Sequence, residues 1–115
     1  MAAIIDCPSP NFDERDRPVS IVVLHYTGMQ DAESAIARLR DPEARVSCHY
    51  LIAEDGQVLR MVMDDKRAWH AGQSYWRGLR GVNGASIGIE IVNPGHEFGY
   101  RPFTAEQMEA LLPLL

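Results

Sequence analysis

Hydrophobic and polar positions follow several distinct rhythms along this chain, and each rhythm predicts an element. Val19-Ser20-Ile21-Val22-Val23-Leu24 is short, β-branched and almost continuously apolar, the pattern of a strand covered on both faces. From Asp31, a residue type suited to cap a helix, Ala32, Ala35, Ile36 and Leu39 recur at helical spacing until Asp41-Pro42 ends the run. Residues 46–63 read as a β-hairpin, with strands at 46–53 and 57–63 joined by Glu54-Asp55-Gly56, because Asp-Gly supplies the positive φ angles of a tight turn. Alternation places His49 and Leu51 on one face of its first strand and Cys48, Tyr50 and Ile52 on the other. Ser86 to Val92 alternates strictly, with Ile87, Ile89 and Ile91 on one side and Gly88 and Glu90 on the other. Thr104-Ala105-Glu106-Gln107 has the form of a capping box opening a helix, with Met108, Leu111, Leu112 and Leu115 on one stripe.

Between these elements the pattern lapses. Residues 1–18 carry Pro8, Pro10 and Pro18 among mixed charges and are expected to form an extended N-terminal arm, leaving residues 19–115 as a single domain or the N-terminal part of one. Residues 64–84, with glycines at 72, 78, 81 and 84 and no sustained period, read as a long loop, and such loops in compact domains often bind ligands. Strands interleaved with helices predict a mixed α/β domain, a central mixed β-sheet flanked by helices.

A chain of 115 residues with 46% hydrophobic content can bury one core. No apolar run approaches the roughly 20 residues that span a bilayer, and the start, MAAIIDCPSP, shows neither a basic leader nor an apolar stretch. A cytoplasmic monomer with no membrane partner is the expectation. Cys7 and Cys48 are too few for a disulfide framework and are expected to be reduced. A net charge of −5 disfavours a nucleic-acid partner, which needs a basic face. Charge is unevenly spread, however. Between residues 66 and 89 stand Lys66, Arg67, Arg77 and Arg80 with no acid, together with Trp69, His70, Tyr75 and Trp76, a composition suited to a small ligand with carboxylates and apolar faces.

Four residues could carry chemistry. His25 stands at the carboxyl end of a predicted buried strand, where α/β sheets commonly bind ligands, and fits either a metal ligand or a hydrogen-bonded structural histidine. Glu90, flanked by Ile89 and Ile91 with Gly88 nearby, is either a general base in a cleft or a paired or solvated glutamate. His49, in mid-strand, fits a satisfied structural role, and its neighbour Cys48 points the other way, which argues against a cysteine–histidine hydrolase. His70 precedes the small pair Ala71-Gly72 and fits ligand contact and loop packing equally.

In order along the chain, Leu24-His25-Tyr26-Thr27, Arg45-Val46-Ser47-Cys48-His49-Tyr50-Leu51-Ile52, Asp55-Gly56, Lys66-Arg67-Ala68-Trp69-His70-Ala71-Gly72 and Ser86-Ile87-Gly88-Ile89-Glu90 resemble the motifs of the AmpD/AmiD-type zinc N-acetylmuramoyl-L-alanine amidases, relatives of peptidoglycan-recognition proteins. Pro8-Ser9-Pro10-Asn11 resembles the start of AmpD. The resemblance implies an AmpD-like fold and hydrolysis of the amide between the MurNAc lactyl group and L-alanine in peptidoglycan or muropeptides. It also implies Zn2+ as cofactor, His25 as first metal ligand, Glu90 as catalytic acid/base, and Arg45, His70 and Trp76 on the substrate, with Arg45 holding a stem-peptide carboxylate. The family's remaining zinc ligands fall beyond the point matching Leu115, so the C-terminal portion of the family domain is expected to be missing from this chain, and His96, in a turn where the family varies, is no substitute. The alternative expectation is a muropeptide-recognition module without catalysis.

Overall fold

A computed structural model describes residues 4–15, 17–71, 75–76, 79–95 and 102–115, with the backbone alone at 75, 76, 79 and 80. Its main sheet has five strands in the order β1-β5-β4-β9-β3. These are β1 (Ile4–Asp6), β3 (Ile21–Tyr26), β4 (Tyr50–Ile52), β5 (Val58–Arg60) and β9 (Ser86–Ile91). β3 and β4 both lie parallel to β9, β1 lies parallel to β5, and β4 and β5 form the antiparallel hairpin. The sheet is therefore mixed, as the sequence predicts.

Helix α1 (Ala32–Arg40) covers one face of the sheet. Asp31 caps it by accepting a hydrogen bond from the Ser34 amide at 2.8 Å, and Ala35 and Leu39 pack against Leu51, Leu59 and Val92. Helix α2 (Ala105–Leu111) covers the other, closing Ile52, Val58, Ile89 and Ile91 with Leu111. Its capping box is present, Thr104 and Gln107 each bonding the other's backbone amide, and the Gln107 side chain reaches on to the Val92 carbonyl at 2.8 Å. The stripe expected beyond Leu111 is not buried: a 3-10 turn follows at Leu112–Leu114, and Leu112 and Leu115 are 69% and 62% exposed.

Several sequence expectations change in detail. The hairpin turns where predicted, with Gly56 at φ 87°, but its strands are three residues each. Because β4 begins only at Tyr50, alternation does not extend back to Cys48, which packs with Leu51 on the α1 side and not with Tyr50 and Ile52. β3 is not covered on both faces, since it ends the sheet and Leu24 and Tyr26 on its α2 side are 48% and 56% exposed. The arm is extended and also structured: β1 joins the main sheet, and β2 (Phe12–Glu14) pairs antiparallel with β6 (Lys66–Ala68). The predicted loop at 64–84 thus contains β6 and the two-residue pair β7 (Tyr75–Trp76) and β8 (Leu79–Arg80), and it runs into a 3-10 turn at Val82–Ala85. Strands this short leave no period to read.

Candidate functional site

His25 and Glu90 are direct register partners across β3 and β9, so their side chains leave the sheet on the same face, the one under α1. Ser86, Gly88 and Glu90 line that face of β9, while Ile87, Ile89 and Ile91 fill the core under α2. Glu90 borders a cavity of about 120 Å3 together with Thr27, Arg38, Leu39, Trp69 and His70. Its Oε2 is buried with no hydrogen-bond partner, and burial pushes its pKa up to about 7. A carboxyl in that state gives up and takes back a proton near neutrality, as a general acid/base requires.

The histidines divide into two kinds. His49 is fully buried and satisfied: its Nδ1 accepts from the Gly88 amide at 3.0 Å and its Nε2 donates to the Lys66 carbonyl at 2.8 Å. It is structural, as the sequence suggests. His25 is half-buried, with its pKa lowered by desolvation, so its ring is neutral near pH 7 and able to ligate a metal. His70 lies beside His25, ring centroids 5.2 Å apart. Both its nitrogens are engaged, Nδ1 with His25 Nε2 at 3.0 Å and Nε2 with Ser86 Oγ at 2.8 Å, so its ring face borders the cavity while its polar edge is occupied. The adjacent Cys48 thiol is pushed well up by burial and then by the Glu90 charge, which leaves it an inert core group.

Arg45 is exposed, in the left-handed region at φ 53°, and borders an open hollow of about 460 Å3 with Pro10, Asn11, Pro42 and Trp69. Trp69 lines this hollow and the Glu90 cavity alike, so the two adjoin. The arm builds the hollow's wall. The buried Asn11 side-chain amide donates to the Asp41 and Val46 carbonyls at 2.8 and 2.9 Å, the Asn11 backbone carbonyl accepts from Ser47 Oγ, and Ser9 Oγ donates to the Leu39 carbonyl left open at the end of α1. Trp69 is fixed too, its backbone amide donating to Ser47 Oγ at 2.9 Å. The Trp76 side chain, Gly72 and His96 lie outside the described residues.

One organising residue carries no sequence signal of its own. Arg15, in the arm, donates to the carbonyls of Gly84 and Ser86 at 3.1 Å and of Asp64 and Lys66 at 3.0 and 2.8 Å. It thereby ties the start of β9 to the turn before β6. One of two arginines in a charged arm gives no hint of four carbonyl partners 49 to 71 residues away.

Among the described residues no three His, Cys, Asp or Glu side chains converge as metal ligands. The donor chemistry present, the neutral imidazole of His25, fits part of a zinc site.

Comparison with known proteins sets this geometry in context. The N-acetylmuramoyl-L-alanine amidase family, Amidase_2, matches residues 15–115. N-acetylmuramoyl-L-alanine amidase AmiD of Escherichia coli strain K12 is 36% identical over 108 residues, covering 84% of this chain and 38% of AmiD. The structure of AmiD in complex with the substrate anhydro-N-acetylmuramic acid-L-Ala-D-gamma-Glu-L-Lys superposes with a TM-score of 0.74. The 1,6-anhydro-N-acetylmuramyl-L-alanine amidase AmpD of Salmonella typhimurium strain SL1344 is 37% identical over 103 residues, 73% of this chain and 55% of AmpD. A crystal structure of a selenomethionine AmpD derivative, 33% identical, gives a TM-score of 0.82 over 99% of this chain and 72% of that one. Drosophila peptidoglycan recognition protein SD, 21% identical with a TM-score of 0.67 over 99% of this chain and 72% of that one, shares the fold. The chain thus spans about half or less of the length of the curated relatives AmiD and AmpD.

Proposed function

The chain belongs to the N-acetylmuramoyl-L-alanine amidase family, and we propose on that premise that it carries the acid/base and part of the metal site of a zinc-dependent enzyme hydrolysing the amide between the MurNAc lactyl group and L-alanine of muropeptides. The observation that carries this reading is Glu90, a buried carboxylate with an unpartnered oxygen, a pKa near 7 and His25 as its register neighbour. A structural glutamate would be paired; burying one unpaired costs stability, and function supplies a reason to keep it. The muropeptide substrate is supported by the ligand bound to AmiD. A cytoplasmic location is part of the same proposal.

In this proposal His25 holds zinc together with ligands outside the described residues. Zinc, when bound, polarises the scissile carbonyl and acidifies a water. Glu90 takes the attacking water's proton and delivers it to the departing alanine nitrogen, because an amine leaves poorly unless protonated. The apolar wall of Leu39 and Ala35 keeps that carboxyl desolvated, so it is half-protonated near pH 7 and serves in both directions. Arg45 pairs with a stem-peptide carboxylate through its planar fork, and the indole of Trp69 forms the ridge between that contact and the reacting amide. Trp76 and the ring face of His70 complete the substrate contacts.

The test is to assay release of the stem peptide from a MurNAc-peptide by the protein carrying this chain. Glu90→Gln keeps the shape and removes the basic carboxylate, so kcat should fall by roughly 10²- to 10⁴-fold with KM near the parent value and zinc content unchanged. Arg45→Ala should instead raise KM by the equivalent of about 1.5–3 kcal/mol, with Arg45→Lys recovering only part. A parent protein that binds muropeptide and never cleaves it is a recognition module, and normal cleavage by Glu90→Gln removes Glu90 from the chemistry.

A further inference from the structure

His25, His70 and Ser86 form a continuous hydrogen-bonded chain whose polarity is fixed at its buried end. Ser86 is fully buried, and its Oγ lies 2.7 Å from the Val82 carbonyl and 2.8 Å from His70 Nε2. A carbonyl oxygen can only accept, so the single hydroxyl proton goes to Val82. Ser86 Oγ must then accept from His70, which places the His70 proton on Nε2. The two His70 nitrogens meet an imidazole and a hydroxyl and no carboxylate, so nothing in this seat pairs with an imidazolium; the ring is neutral, and with its proton on Nε2 its Nδ1 is bare. That bare Nδ1 lies 3.0 Å from His25 Nε2, and the contact is a hydrogen bond only if His25 Nε2 donates.

We infer that His70, anchored on Ser86, is a positioning residue that fixes the His25 ring with its proton on Nε2 and its Nδ1 bare. Among the described residues no group bonds His25 Nδ1, so this is the nitrogen with a lone pair for a Lewis acid. Metal-ligating histidines generally donate their other N–H to a protein acceptor, which fixes both tautomer and ring orientation. Here the acceptor is a second imidazole.

The fold builds a seat for that imidazole from independent parts. Gly88 is required beneath it: a Cβ there would lie 2.5 Å from two His70 ring carbons. Asn83 Oδ1 accepts from the amides of His70 and Ala71 at 3.1 and 2.8 Å and so fixes the backbone that delivers the ring. The Val82–Ala85 turn thus holds His70 twice, through Asn83 and through the Val82 carbonyl that orients Ser86. Arg15 steadies the same turn by bonding Gly84 and Ser86 carbonyls. Each of these features is hard to account for if His70 merely fills a gap, since a small apolar residue would do so without three committed polar partners.

The tautomer stands apart from the amidase reading; only its consequence for zinc rests on that reading. The test is long-range ¹H–¹⁵N correlation of the histidine rings in ¹⁵N-labelled, metal-free protein at about pH 7. His25 should show a protonated, pyrrole-like Nε2 and an unprotonated, pyridine-like Nδ1, and His70 the same pattern. A pyrrole-like Nδ1 on His25 in the parent protein overturns the proposal, and this reading needs no variant to fold. Ser86→Ala removes the acceptor that sets the polarity and should move the His25 Nδ1 resonance toward the average of two tautomers; an unmoved resonance counts against the anchor. Zinc alone, titrated against a competing chelator, should bind Ser86→Ala and His70→Ala about 10- to 100-fold more weakly than the parent. If the tautomer is found and the parent takes up no zinc, the metal reading fails while the relay stands.

Discussion

The two faces of β9 are built from the same six residues and follow opposite rules. Under α2, Ile87, Ile89 and Ile91 meet Ile52, Val58 and Leu111, and Ile89 has no exposed surface. Under α1, Ser86, Gly88 and Glu90 alternate with them on the other side, where one oxygen stays unpartnered and a histidine ring takes the place of a side chain. Shape alone satisfies the first face. The second is satisfied by hydrogen bonds whose direction matters, except at Glu90, where it is left unsatisfied. A strand one residue wide therefore separates stabilising positions from those proposed to function, and a substitution should reveal which side it falls on.

Truncating the apolar side gives the largest expected change in stability. Ile89→Ala should lower the unfolding free energy by about 2–5 kcal/mol in urea melts, because it removes transfer energy and leaves a cavity. Catalysis per folded molecule should change far less. A collapse of activity at full stability would break the division between the faces.

On the polar side the sign reverses. The Glu90 carboxyl has its pKa raised from 4.5 to about 7 by burial. At pH below 4.5 it is protonated in folded and unfolded forms alike and costs nothing. As pH rises from there through about 7 the unfolded chain releases the proton first, so stability falls, and above that range the loss is complete. In chelator-treated protein Glu90→Gln should therefore be more stable than the parent near pH 8, by up to about 3 kcal/mol, with the gain vanishing near pH 4. A destabilised variant at pH 8 would mean that the carboxylate has found a partner.

Gly88→Ala sharpens the comparison with the smallest effect. Its added methyl would meet the His70 ring, so the cost should be about 1–3 kcal/mol, the usual range for overpacking. The His25 and His70 ring signals should shift well beyond what that loss of stability explains. Unchanged ring signals would show that the seat can open.

How much of this was legible in the sequence follows from how local each signal is. The α1 cap and stop, the Asp55-Gly56 turn, the alternation of β9 and the Thr104–Gln107 box depend on residues within one turn or strand of each other, and all are found. The family resemblance carried the fold and pointed to His25 and Glu90, which the structure sets side by side. What local pattern could not carry was pairing at a distance. β1 meets β5 across 54 positions in three-residue strands, too short for a period, and Arg15 finds acceptors on two separate loops. The alternation argument failed for Cys48 for a related reason: the chain leaves the sheet before Tyr50, and alternation holds only inside a strand. His70's partners were equally hidden, since nothing in Trp69-His70-Ala71 announces a serine at the start of a later strand.

The fastening of the arm has a consequence for how the molecule breathes. Its first strand, β1, is exposed throughout and lies at the edge of the sheet, and elements with few buried contacts open at low free energy. The Cys7 and Ser9 amides, paired with the Arg60 and Met61 carbonyls, should accordingly exchange hydrogen with solvent through a local opening well below the global unfolding free energy that guards Ile89. Because Asn11 bonds the Asp41 and Val46 carbonyls, an opening that reaches it should also loosen the segment between them, and with it Arg45. The arm should then act as a kinetic gate on the hollow beside Arg45, while the strands bearing His25 and Glu90 stay closed.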